Sequence, residues 1–120
     1  MKIVSACRAY PTHRPGGMLF VVQDRARALA RIGHEVHVLT TSLKNKACVI
    51  DDEGVFVHHL QCESMVNSDE FARGCSAFCG TYSPEIIHSD SLDVGRNWWT
   101  GFTDGAKAAK TAVTLHGFAW

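Results

Sequence analysis

Two glycines, Gly16 and Gly17, sit in the stretch YPTHRPGGMLFVV (Tyr10 to Val22). An apolar run that reads as a strand precedes them, and an apolar-periodic run that reads as a helix follows. A glycine turn at the mouth of a helix can bind an anion. The first N–H groups of a helix have no intrahelical acceptor, and the missing side chains let a phosphate approach them. Arg8, His13 and Arg14 in the same loop could serve as further anion contacts. The alternative is a plain turn whose glycines only satisfy backbone geometry. Neither G-x-G-x-x-G nor G-x-x-x-x-G-K-[ST] occurs, so NAD binding and ATP hydrolysis are weak readings.

Other reactive side chains read as structural. Cys75 and Cys79 share a helix face, and with Cys62 and His58 they could be imagined around zinc. Their spacing matches no common zinc motif, so core packing is expected and no metal is implied. His58 and His59 are adjacent on a strand, point to opposite faces and cannot ligate one ion from a flat strand. The five cysteines form an odd set at irregular spacing. That is no disulfide framework, and free thiols suit a reducing cytosol.

The elements that must position the loop follow from hydrophobic period. KIVSAC (Lys2 to Cys7) is a continuous apolar strand of the kind found in parallel sheets. From Met18 to Ile32, Leu19, Val22, Ala26, Leu29 and Ala30 recur at helical spacing, with Gln23, Asp24, Arg27 and Arg31 on the polar face and Gly33 as the stop. EVHVLTT (Glu35 to Thr41) alternates as a second strand, completing a βαβ unit. A short edge strand is expected at Ala47 to Ile50, and a third main strand at Val55 to Gln61. Ser68 can cap a helix carrying Phe71, Cys75, Phe78, Cys79 and Tyr82, which Pro84 ends. EIIHSD (Glu85 to Asp90) is a fourth main strand. A helix from Arg96 to Lys110 carries Trp98, Trp99 and Phe102 as a core or interface stripe, and TAVTLHG (Thr111 to Gly117) is a fifth strand.

Alternating strands and helices predict an α/β fold: an open, mostly parallel Rossmann-like sheet of about five main strands with helices on both faces. Strand one should be central in an order like 3-2-1-4-5. The expected core contains Ile3, Val4, Leu29, Val36, Val38, Val57, Ile86, Ile87, Val113 and Leu115. With 120 residues, 46% apolar and 20% charged, the chain is one small globular domain rather than a disordered segment. Zero formal net charge excludes a global field for nucleic acid or anionic membrane, so any anion site must be local. No apolar stretch reaches the roughly 18 residues of a membrane span, and no signal peptide is visible. The expected location is cytoplasmic.

Three blocks, in order, resemble one family. MKIVSACRAYPTHRPGGMLFVVQDRARALARIGHEVHVLTTS, PEIIHSD and TAVTLHG are similar to the N-terminal domain of retaining nucleotide-sugar glycosyltransferases of the family 4 type, which have the two-domain GT-B fold. The resemblance implies that Gly16 and Gly17 lie near the donor diphosphate. It implies that His116, at the tip of the fifth strand, faces the donor sugar, and that His88, Ser89 and Asp90 sit at the acceptor side of the cleft. In open α/β sheets ligands bind outside the carboxyl ends of the strands, where all these residues fall.

The resemblance also implies parts that the sequence lacks. The family's second domain, with its glutamate pair and the basic residues that neutralise the leaving diphosphate, is missing, and the first domain looks unfinished. Residues 1–120 are therefore read as a single partial Rossmann-like acceptor-side domain, with a nucleotide-sugar and an unknown acceptor as the partners the resemblance implies, and inactive without a donor-domain partner. No cofactor is expected. The alternative is a non-catalytic binding or interaction module that keeps the fold. An uncovered strand edge further predicts a homo-oligomer, with Trp98, Trp99, Phe118 and Trp120 at its interface.

Overall fold

The computed structural model of the chain describes residues 1–62, 69–89 and 109–113. In chain order the elements are β1 (Lys2–Ala6), α1 (Gly17–Arg31), β2 (Glu35–Thr40), β3 (Cys48–Asp52), β4 (Val55–His59), α2 (Asp69–Tyr82), β5 (Ile86–Ser89) and β6 (Lys110–Val113). They build one six-stranded sheet in the order β3-β4-β2-β1-β5-β6. Five strands are parallel, and β3 runs antiparallel to β4 at one edge. The five main strands thus take the expected order, with β1 central.

Each face of the sheet buries its own apolar cluster. Val22, Ala26 and the half-buried Leu29 of α1 pack with Val36, Val38, Val55 and Val57. On the other face Phe71, Ala72, Cys75 and Cys79 of α2 pack with Val4, Ala6, Leu39, Cys62 and Ile87. The cysteines there are core residues, as small hydrophobes commonly are. Ile3, Val4, Val36, Val38, Val57 and Ile87 are buried as expected, whereas Leu29 and Ile86 are only half-buried.

Helix α1 ends where its sequence says it should. Gly33 takes φ 102°, a left-handed conformation that costs a residue with a Cβ. Its N–H donates to Ala30 O at 3.1 Å, and the His34 N–H donates to Leu29 O at 3.2 Å. This paired arrangement satisfies the last carbonyls of the helix. Small departures from expectation have simple causes. The edge strand lies at Cys48–Asp52 rather than Ala47–Ile50, because its register is set by the tight turn into β4. Lys110, expected at the end of a helix, begins β6 alongside Ile86. The helix expected from Arg96 falls on residues that, up to 108, lie outside the described ones, as do Ser68, Leu115, Phe118 and Trp120. Among the described residues no helix is long and apolar enough to cross a membrane.

Candidate functional site

Parallel pairing brings the carboxyl ends of five strands to one edge of the sheet. Ala6 pairs with Leu39 and Ser89, Ser89 pairs with Val113, and Thr40 pairs with His59. The chain leaves β1 at this edge, runs through residues 7–16 and enters α1 at Gly17.

Hydrogen bonds pin that loop to the ends of β2 and β4. The Cys7 N–H donates to Leu39 O at 3.0 Å, and the Thr41 hydroxyl donates to Arg8 O at 3.1 Å. His13 Nδ1 accepts the Tyr10 N–H at 3.1 Å, which assigns the proton to Nε2. From there it faces Thr41 O at 3.2 Å and Ser42 O at 3.1 Å. The edge of the His13 ring meets buried His59 at a centroid distance of 4.7 Å. His59 Nδ1 lies 2.8 Å from Thr41 O and Nε2 lies 2.9 Å from the Thr12 hydroxyl. Burial holds the His59 imidazole below its usual pKa against the opposing pull of the Thr41 carbonyl, so the ring is neutral and bridges two segments. His13, expected as an anion contact, spends both ring nitrogens on the protein itself.

A second, half-buried anchor ties the loop and α1 to the edge hairpin. The Tyr10 hydroxyl donates to Asp52 Oδ2 at 2.6 Å, Gln23 Nε2 donates to the same oxygen at 3.1 Å, and an Arg27 guanidinium nitrogen meets Asp52 Oδ1 at 2.6 Å. Arg27 also reaches the exposed Glu53 carboxylate at 2.8 Å. Burial alone would raise the Asp52 pKa, but the bonds from Arg27, Tyr10 and Gln23 together hold it below the ordinary carboxylate value. The Tyr10 phenol is pushed far upward, first by burial and then by Asp52. Helical period alone placed Gln23 and Arg27 on the polar, outer face of α1. The structure instead turns them toward Asp52, and nothing in local sequence signals a partner 25 or 29 residues away.

The held loop presents the N-terminus of α1 bare. No side chain caps it and no acid occupies its first turn. Its first backbone acceptor is Gly16 O, which takes the Phe20 N–H at 3.0 Å, so the amides of Gly17, Met18 and Leu19 have no acceptor within the helix. Gly16 is extended at φ 175°, a conformation open to any residue. A Cβ on Gly17 would meet nothing within 4 Å. Neither backbone strain nor packing therefore requires glycine at 17, and its effect is to leave the amides uncovered. The partial positive charge at a helix N-terminus favours an anion there.

The remaining expected residues are placed as follows. Arg8 and Arg14 are exposed on the loop. His88 lies on the α1 face of β5, its Nδ1 3.3 Å from the buried Ser5 hydroxyl. Ser89 is fully buried at the strand end. Asp90 and His116 lie outside the described residues.

A third cluster occupies the α2 face. His37 Nδ1 and His58 Nε2 are 2.9 Å apart. Phe78 and Tyr82 stack at 4.3 Å beside them, and Phe56 stacks on His37 at 5.1 Å. His58 and His59 do point to opposite faces of β4, one to this cluster and one to the loop.

Comparison with known proteins places the chain by fold and family. The family described as a glycosyl transferase 4-like domain matches residues 16–120. Among solved structures, the catalytic domain of starch synthase IV from Arabidopsis thaliana, bound to ADP and acarbose, is similar with a TM-score of 0.66 and 18% identity. The match covers 97% of this chain and 34% of that one, so the chain spans about a third of the relative's length. No curated protein matches the sequence.

Proposed function

As this chain belongs to the glycosyl transferase 4-like domain family, we infer that it supplies the acceptor side and the glycine loop of a nucleotide-sugar transfer site. The observation that carries this reading is the bare N-terminus of α1 at the sheet edge where five strands end. Its free amides suit one oxygen-rich face of a diphosphate. Arg8 and Arg14 add charge from the loop, and His13 acts by holding that loop in place. His88, Ser89 and Asp90 follow as the acceptor side, with His116 toward the donor sugar. The departing diphosphate needs further donors aimed at its developing charge. In this reading they come from a donor-binding domain outside these 120 residues.

Two expectations test it. In an NMR titration of the chain with ADP and with pyrophosphate, the amide resonances of Gly17, Met18 and Leu19 should shift. Gly17→Asp, which sets a competing carboxylate over the same amides, should suppress those shifts. Shifts confined to other segments, or untouched by Gly17→Asp, would refute the loop's role. The purified chain alone should transfer no sugar from any nucleotide-sugar, and turnover by it would show that the site is already complete.

A further inference from the structure

We propose that β3 is a dimerisation edge, on which a second copy of this chain pairs antiparallel about Val49 to make one continuous sheet. β3 is the terminal strand of the sheet, bonded to β4 on one side, and among the described residues no strand covers its other side. The turn into β4 fixes which of its amides point outward. Glu53 and Gly54 have φ 50° and 91°, the geometry of a two-residue hairpin turn, which closes on the pair Asp52 and Val55. In such a hairpin the closing pair is hydrogen-bonded and the pattern alternates along the strand. Cys48, Ile50 and Asp52 therefore bond to β4, and Val49 and Asp51 turn their N–H and C=O groups away from it.

The centre of the edge also lacks the usual protection. Natural sheets blunt an open edge with a central lysine, a proline or a bulge. Here the central residue is Val49, a β-branched side chain that is 61% exposed. Its diagonal neighbour across the hairpin on the same face of the sheet, Phe56, is 39% exposed.

Charge selects the occupant. Lys44 and Lys46 precede the strand, Asp51 and Glu53 end it, and all four are exposed. A parallel copy would set like charges side by side. An antiparallel copy sets the basic end of each strand beside the acidic end of the other and leaves the apolar centre on the two-fold axis. Opposite charges across paired strands favour the pairing, and like charges oppose it. For both copies to keep the same face up, the axis must run through a residue paired with itself. Centring on Val49 matches the outward amides of one strand to those of the other. Such an interface is isologous and closes at two subunits.

Light scattering of the purified chain at micromolar concentrations tests this. The expected mass is twice the 13.2 kDa of one chain, with the dimer weakening as salt rises. Val49→Lys should give a monomer with an unchanged circular dichroism spectrum, because on the axis each lysine meets its own copy. Val49→Cys should give a disulfide-linked dimer under mild oxidation, whereas Ala77→Cys, exposed on α2, should not. A monomeric mass that does not change on concentration overturns the proposal, and so does a mass above the dimer. A dimer that survives Val49→Lys, or an absent Val49→Cys cross-link, overturns its location.

Discussion

Asp52→Ala is expected to destabilise the fold by about 3 kcal/mol, although the residue ends the edge strand β3 and belongs neither to the glycine loop nor to the carboxyl ends of the parallel strands. The magnitude follows from what the carboxylate leaves behind. An exposed ion pair is worth at most about 1 kcal/mol, but the Asp52 side chain is only 12% exposed and that of Arg27 only 23%. Removing Asp52 strips the acceptor from the fully buried Tyr10 hydroxyl as well as from Gln23 and Arg27. An orphaned buried donor costs its full desolvation penalty. Asp52→Asn, which keeps an acceptor but loses the charge, should lose less, and Tyr10→Phe less again. Urea unfolding followed by circular dichroism measures all three. A loss below 1 kcal/mol for Asp52→Ala at unchanged denaturant slope would show that the anchor is only a surface pair. The pH dependence has a definite sign. The folded Asp52 lies below its usual 3.8, so its contribution is complete above that value and disappears as pH falls through the lower folded value.

Acid should destabilise the protein earlier, and from a different place. Burial, followed by the neighbouring charge of His37, pushes His58 down from its usual 6.5 to about 4. His37 is lowered as well, mainly by burial, and Glu35, with Oε2 3.5 Å from its Nε2, opposes the shift. A histidine with a depressed folded pKa binds its proton more readily in the unfolded chain. The contribution of this pair is therefore full above pH 6.5, falls between 6.5 and about 4, and levels off below. At about 1.4 kcal/mol per pKa unit, the loss over that window is about 3 kcal/mol. The groups around the pair offer little relief, since Phe56, Phe78 and Tyr82 line it and Lys2 adds a repelling positive charge to His37. His58→Phe should flatten stability between pH 6.5 and 4 and leave the lower transition of Asp52 in place. Unfolding free energies at half-unit pH steps would test this. A profile unchanged by His58→Phe would mean that the acid response arises elsewhere.

Local pattern carried much of this protein. Residues three and four apart lie on one helix face and alternate residues lie on one strand face, so apolar spacing located β1, α1, β2, β4, α2 and β5 within a few residues. The same pattern named most of the core. Gly33 announced its left-handed stop because few other residues tolerate that conformation. The strand order followed from alternating strands and helices, and the ordered blocks around Gly16–Gly17, PEIIHSD and TAVTLHG pointed to the family.

What the sequence could not reveal are contacts between segments whose separation carries no period. Tyr10, Gln23, Arg27 and Asp52 meet only because the loop after β1, the inner edge of α1 and the end of the β3 hairpin converge in space. The same is true of His13 and His59, which read in the sequence as an anion contact and half of an adjacent pair but together fix the loop. Parallel pairing is long-range by construction, and the side chains it brings together are chosen by register and burial. Tertiary structure alone therefore decided that the glycine loop is held by His13, His59 and the half-buried Asp52 carboxylate, and that the edge strand presents Val49 to solvent.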